Sequence, residues 1–198
     1  MPAIETIKRL TEEATGWSRP RKAALDKLVR RRKAQTRRFK DDGIIPNHPA
    51  FPLIVYKRAV ELPDRLDPAA VFEDLFGKNG WGDSWRDGIY DYVHYHSQIH
   101  EVLGIARGTG KVQFGGKRGR TLTLETGDVA ILPAGTGHQC LSASKDFLVV
   151  GAYPPSGKYD ECTDTRDHEE AVKTISKVAA PKRDPVYGTA GPLVAHWR

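Results

Sequence analysis

The chain has 198 residues, of which 39% are hydrophobic and 28% charged. That suffices for one domain with one core, and it is too apolar for a disordered chain. No apolar run approaches the roughly 20 residues of a membrane-spanning helix. Met1 to Leu10 lack the apolar stretch of a secretory signal. Two cysteines, Cys140 and Cys162, cannot make a disulfide framework or a Cys-x-x-Cys zinc site. A cytoplasmic location is the expectation, with no membrane partner. The net charge of +6 is uneven: residues 1–40 hold 13 Lys/Arg against 4 Asp/Glu, and the rest hold 18 against 21. The near-neutral main body argues against a nucleic-acid-binding fold there.

In chain order, residues 3–14 suit a short amphipathic helix, broken near Gly16. Ser18 is a candidate N-cap, with Arg19 and Pro20 in the first turn of a second helix running to about Phe39. Ala24, Leu25, Leu28 and Val29 give it an apolar stripe, and the rest is densely basic. The expected organisation is a basic helical extension over 1–40 and a single domain over 41–198. The extension is expected to pack on the domain through Leu25, Leu28 and Val29. The alternative, nucleic-acid contact through 19–40, has the charge density but no recognition-helix pattern or aromatic interleaving.

A strand is expected over Leu53–Val60. Asp67-Pro68 then opens a short helix with Val71, Phe72, Leu75 and Phe76 on its buried side. Gly77, Gly80, Gly82 and Gly88 surround Trp81 and Trp85 in an expected loop. Strands follow near 89–97, 100–107, 110–114, 120–125, 128–133, 137–142 and 146–153, separated by glycine turns. Such spacing predicts an all-β domain, an antiparallel jelly-roll barrel with a few flanking α-helices. Helix returns near 167–177, and the proline- and glycine-bearing tail is expected to lie extended over the domain.

Four of the seven histidines, His94, His96, His100 and His138, fall in one window with Glu101. Residues i and i+2 of a strand share a face, so His94 and His96 can converge while Tyr95 points away. Glu101 can add an oxygen from the returning strand, and His138 a third imidazole. Three imidazoles and a carboxylate suit one divalent transition metal: Fe, Mn, Ni, Co, Cu or Zn. His100 precedes Glu101 and is expected on the opposite face, outside the ligand set. Cys140 and Tyr92 share the parity of His138 and His94, and are candidate substrate-binding residues. The plainer reading of each is packing.

The spacing resembles the cupin superfamily. Gly88, five residues, His94-Tyr95-His96, four residues, Glu101, six residues and Gly108 match the first cupin motif throughout. Gly127, Pro133, Gly135 and His138 match the second, with Ser142 where asparagine is usual. Nine fixed residues, each about one in twenty by composition, do not coincide by chance. Phe39-Lys40-Asp41-Asp42-Gly43, Asn79-Gly80-Trp81, Asp184-Pro185-Val186-Tyr187-Gly188 and Gly191-Pro192-Leu193 further resemble small bacterial YjlB-like cupins, over about residues 39–198. The resemblance implies a cupin-type double-stranded β-helix, a metal on His94, His96, Glu101 and His138, and a homodimer. It admits a dioxygenase, decarboxylase or isomerase acting on a small molecule, with Glu101 a ligand that also takes part in turnover. It equally admits a non-catalytic module that binds a metal and a small ligand.

Overall fold

The computed structural model describes residues 16–198. The helix expected over residues 3–14 lies outside them. The strands are β1 (Gln35–Arg37), β2 (Leu53–Tyr56), β3 (Gly82–Asp87), β4 (Glu101–Arg107), β5 (Thr109–Phe114), β6 (Arg120–Glu125), β7 (Val129–Leu132), β8 (His138–Ala143) and β9 (Leu148–Tyr153). They form a six-stranded sheet in the order β1-β2-β7-β4-β9-β3 and a three-stranded sheet in the order β6-β5-β8. Every paired neighbour is antiparallel. This is the expected jelly-roll architecture. No helix among the described residues is long and apolar enough to cross a membrane.

The larger sheet is covered on both faces, which is why β2, β7 and β9 read as continuous apolar runs. Leu53, Val55, Leu103, Ile105, Ala130, Leu132 and Val149 point inward, where Val112, Phe114 and Leu124 of the smaller sheet meet them. Ile54, Tyr56, Val102, Val129, Ile131, Val150 and Ala152 point outward into a second core. That core is closed by helix α2 (Pro68–Lys78), whose Phe72, Leu75 and Phe76 are buried. Asp67 caps α2 by accepting from the Ala69 amide at 3.0 Å, and Pro68 opens it. Gly104 lets the helix approach, since a Cβ there would lie 2.5 Å from the Phe72 ring.

Three expectations are corrected. The basic segment is not one long helix. A 3-10 turn (Lys22–Ala24) leads into one helical turn, α1 (Leu25–Leu28), and Val29 is already extended. Its amide-bearing neighbours pair with chain beyond β2: Arg30 N–H donates to the Ala59 carbonyl, and Glu61 N–H to that of Leu28. On a helix, Arg30, Lys33 and Arg37 would stack like charges at i,i+3 and i,i+4 spacing, which favours the extended, tertiary-paired chain. β1 then joins the larger sheet. Leu25 is buried as expected, and Leu28 and Val29 pack on the outer core. Several basic groups are occupied within the chain, Arg19 by Asp74, Arg30 by Glu61 and Arg31 over the Tyr187 ring.

The second correction exchanges a loop and a strand. Residues 89–97 are irregular apart from bridges at His94 and Tyr95, whereas the expected loop contains β3. β3 is an outer strand with mostly exposed residues and a bulge between Gly82 and Trp85, so it carries no alternating pattern. The third is the tail. It does lie over the domain, but Pro192–His196 forms a short helix, α4, after Gly191. Helix α3 (His168–Ile175) falls within the expected 167–177 span.

The tail is fastened by Asp184, which is fully buried. Its carboxylate accepts from Tyr56 Oη (2.5 Å) and from the amides of Val186 (2.9 Å), Tyr187 (3.0 Å) and Leu193 (3.2 Å). Asn79 and Trp81 donate to the carbonyls of Pro185 and Arg183. Asp184→Ala strands four donors in a dry interior, and is expected to lower unfolding free energy by at least about 3 kcal/mol in urea titration.

His48 is buried, stacked on Phe51 with ring centroids 4.2 Å apart and near His100. Its Nδ1 accepts from the amides of Ala50 and Phe51. Burial pushes its pKa down to about 4. The unfolded imidazole titrates near 6.5, so between those values the unfolded state takes up a proton that the native state refuses. Stability is therefore expected to fall as pH drops from about 6.5 to 4. His48→Asn keeps an acceptor for both amides, and should lessen the pH dependence of the urea midpoint across that window by one histidine's share, with His94, His100 and His138, also lowered by burial, supplying the remainder.

Candidate metal centre

His94 and His96 lie on the irregular segment before β4, and Tyr95 between them points away, into a cluster with Ile45, Ala134 and Cys162. Two backbone hydrogen bonds join His94 to His138 at the start of β8: His138 N–H donates to the His94 carbonyl (2.9 Å) and His94 N–H to that of His138 (3.2 Å). Pro133-Ala134-Gly135-Thr136 turns the chain into β8, with Thr136 N–H donating to the Pro133 carbonyl at 3.1 Å. Gly135 has φ +85°, as the third position of a type II turn requires. Glu101 opens β4 on the same face as Leu103, so its carboxylate points inward.

The three imidazoles are wired alike. Nδ1–H of His94 donates to the Tyr92 carbonyl (3.3 Å), that of His96 to Asp160 (2.5 Å) and that of His138 to Thr136 (3.1 Å). Each ring therefore turns an Nε2 lone pair inward, the tautomer a metal ligand needs. Donor atoms of the three rings lie within 4.8 Å of one another, and all three residues are buried. Glu101 Oε2 lies 3.5 Å from Nε2 of His96 and 3.4 Å from Nε2 of His138. That oxygen is buried without a hydrogen-bond partner. A buried three-histidine group facing an orphaned carboxylate oxygen fits a divalent cation.

Electrostatics agree. Burial pushes the His138 pKa down to about 3 and lowers that of His94, so both rings are neutral. Burial acts to raise the Glu101 carboxyl, but His96, His138 and His94 together hold it below its ordinary value. Burial also opposes charge on His96, yet Glu101 outweighs it and lifts the ring to about 9. Without a cation, one proton on His96 balances the carboxylate.

These residues form the floor of a cavity of about 350 Å³, walled by Trp85, Ile89, Tyr90, Leu103, Tyr153 and Tyr159. His100 lies on the opposite face of the sheet, packed against Trp197. Its Nδ1 accepts from the Ala134 amide, so its tautomer is the reverse of the other three. Tyr92 and Cys140 do not line the cavity. Tyr92 is exposed and donates to Glu161 at 3.0 Å. Cys140 N–H donates to the Tyr90 carbonyl at 2.8 Å, and Ile89 and Tyr90 supply the wall there instead. Sequence reasoning missed Tyr153, which ends the apolar β9 run on its inward face and was open to a parity argument. It also missed Tyr159 and Asp160. They lie on irregular chain that has no periodicity to read, yet the Asp160 carboxylate fixes the site by accepting from the amides and hydroxyl of Ser97 and Gln98.

An antiparallel jelly roll with three inward-facing histidines beside a buried carboxylate defines a cupin. The family model described as "Cupin domain" matches residues 87–150. "Uncharacterized protein YjlB" of Bacillus subtilis (strain 168) is 44% identical over 167 residues, covering 84% of this chain and 98% of that protein. The chain belongs to the YjlB-like group of small bacterial cupins.

Solved structures give distant likenesses. A Klebsiella pneumoniae protein with a double-stranded β-helix domain is 14% identical at TM-score 0.34, over 71% of this chain and 88% of that one. The WlaRB TDP-quinovose 3,4-ketoisomerase of Campylobacter jejuni is 15% identical at 0.36, over 46% and 73%. Oxalate decarboxylase of Bacillus subtilis is 16% identical at 0.33, over 60% of this chain and 24% of that one. No activity of this chain follows from them.

His96→Ala is expected to cut bound metal to below about a tenth of the wild-type content while far-UV circular dichroism is unchanged, because the ring lies in the cavity and outside the packed clusters. Elemental analysis of both proteins, purified in parallel, checks this.

Proposed function

We propose that this cupin is a metal-dependent enzyme acting on a small molecule, with the ion held by His94, His96, Glu101 and His138. The observation that carries the reading is the union of a ligand set with an open cavity. Three Nε2 atoms and a partnerless carboxylate oxygen meet at the floor of a space large enough for a substrate. A purely structural metal site is closed, whereas a catalytic one keeps positions open. The donor set accepts iron, manganese, nickel, cobalt, copper or zinc. A bound ion supplies Lewis-acid polarisation of a substrate oxygen.

The chain's own groups have assignable work. His94 and His138 stay neutral through burial, and Glu101 contributes the charge that offsets the cation. Glu101 is also the carboxylate placed to accept a proton from a substrate on the cavity floor. Trp85, Tyr153 and Tyr159 give the cavity an aromatic wall beside the floor. All these residues come from one chain, so the reading does not depend on a dimer. Cupin-type dioxygenase, decarboxylase and isomerase chemistries are all compatible with this arrangement.

Oxygen uptake and product analysis over diketones, diols and hydroxy acids, with each first-row metal in turn, is the test. Turnover with at least one metal is expected, falling at least about 100-fold in Glu101→Gln. A metal-loaded protein that binds such compounds tightly and never turns them over is a binding module, and the proposal fails.

A further inference from the structure

The walls of the cavity also specify what it takes. We propose that the ligand is an uncharged ring bearing adjacent oxygens, held flat between tyrosines at the cavity mouth with its oxygen edge toward the floor. Only the oxygen edge rests on the metal-dependent reading above; the ring preference stands on the walls.

The first observation is that the walls offer an anion no free cationic side chain among the described residues. Arg86 is the sole Lys or Arg among the described residues along the cavity. Its guanidinium is engaged elsewhere, with Glu73 at 2.6 and 2.8 Å and Asp67 at 2.8 Å. Asp87 and Glu101 in the lining carry the opposite sign. A carboxylate or phosphate on the part of the ligand that faces these walls, away from the floor, would lose hydration and gain no partner there.

The second observation is a braced aromatic mouth. Tyr90 and Tyr159 line the cavity yet are about half exposed. Tyr90 stacks on Tyr92 at 4.8 Å and 13°. Tyr92 and Tyr159 both donate their hydroxyls to Glu161, at 3.0 and 3.2 Å. One exposed carboxylate thus ties together two phenols, and through Tyr92 it steadies the third. Tyr159 continues inward, 5.5 Å from the Tyr153 ring and 5.1 Å from that of His96. Exposed aromatic faces held in place before a ligand arrives bind rings at reduced entropic cost.

The third observation is a donor at the inner end. Trp85 Nε1–H donates to the Tyr153 oxygen at 2.9 Å. Gly151 permits this, since a Cβ there would lie 2.0 Å from the indole. The phenol's own proton is left for an acceptor inside the cavity, Glu101 or a ligand oxygen.

The test uses the full chain, zinc-loaded and with its metal content measured, titrated at pH 7 by calorimetry. The probes are catechol and 3,4-dihydroxybenzoate, which share the diol edge and differ in a carboxylate at the wall end. Catechol is expected to bind at least about tenfold more tightly than the anion, and Tyr159→Ala to weaken it about tenfold with metal content unchanged. An anion binding as tightly as catechol overturns the proposal, as does catechol affinity unaltered by Tyr159→Ala. Phenol against benzoate on the metal-free protein reads the walls alone. Phenol must win there too, and benzoate binding equally well refutes the ring preference. A preparation that takes up no metal but prefers phenol contradicts only the metal-dependent reading.

Discussion

A carboxylate buried at the floor of the barrel's cavity is the constraint around which this protein is arranged. Glu101 is 2% exposed, and one of its oxygens has no hydrogen-bond donor. A lone charge there would be costly. Three imidazoles are turned toward it instead, each fixed by a backbone carbonyl on its far nitrogen. Those carbonyls belong to Tyr92, Thr136 and Asp160, three separate stretches of chain. The irregular segment before β4, the turn into β8 and the loop after β9 are thereby held to one point.

β4 carries two tasks on its two faces. Inward, Glu101 precedes Leu103 and Ile105, so the site passes directly into the barrel core. Outward, Val102 and Ala106 meet the second core beneath α2, with Gly104 between them where Phe72 comes closest. His100 shows how sharply these faces differ. One residue from Glu101, it has the reverse tautomer and packs on Trp197. The segments that resemble YjlB-like cupins outside the two motifs belong largely to this outer side. Asn79, Trp81, Asp184 and Leu193 bond to one another's neighbourhoods and clasp the tail, far from the cavity floor.

The ligand set was legible because its spacing combines two strict periodicities, strand alternation and short turns. Turn residues such as Gly135 have a local physical reason to be where they are. The same logic placed His100 on the opposite face, where it packs on Trp197. It failed where local pattern and tertiary partner disagree. The apolar stripe at Leu25, Leu28 and Val29 suggests a long helix, but Val29 pairs with Val60 and the chain extends. β3 has no alternation because only one edge is paired and its side chains are mostly exposed. The expected strand over 89–97 has bridging pairs at two positions only, enough to align His94 and His96 and too few to build a ladder. Tyr159 and Asp160 were invisible, since nothing in an irregular loop announces which distant group it will meet.

The donors also belong to different layers. Glu101 stands on the larger sheet, His138 on the smaller, and His94 and His96 on chain that belongs to neither. An ion gripped by all four would be a crosslink across the mouth of the sandwich, beside the inner apolar packing of Leu103 and Leu132. Occupancy and resistance to heat are then one thermodynamic quantity seen from two sides, because whatever binds only the folded chain raises the temperature at which the layers part.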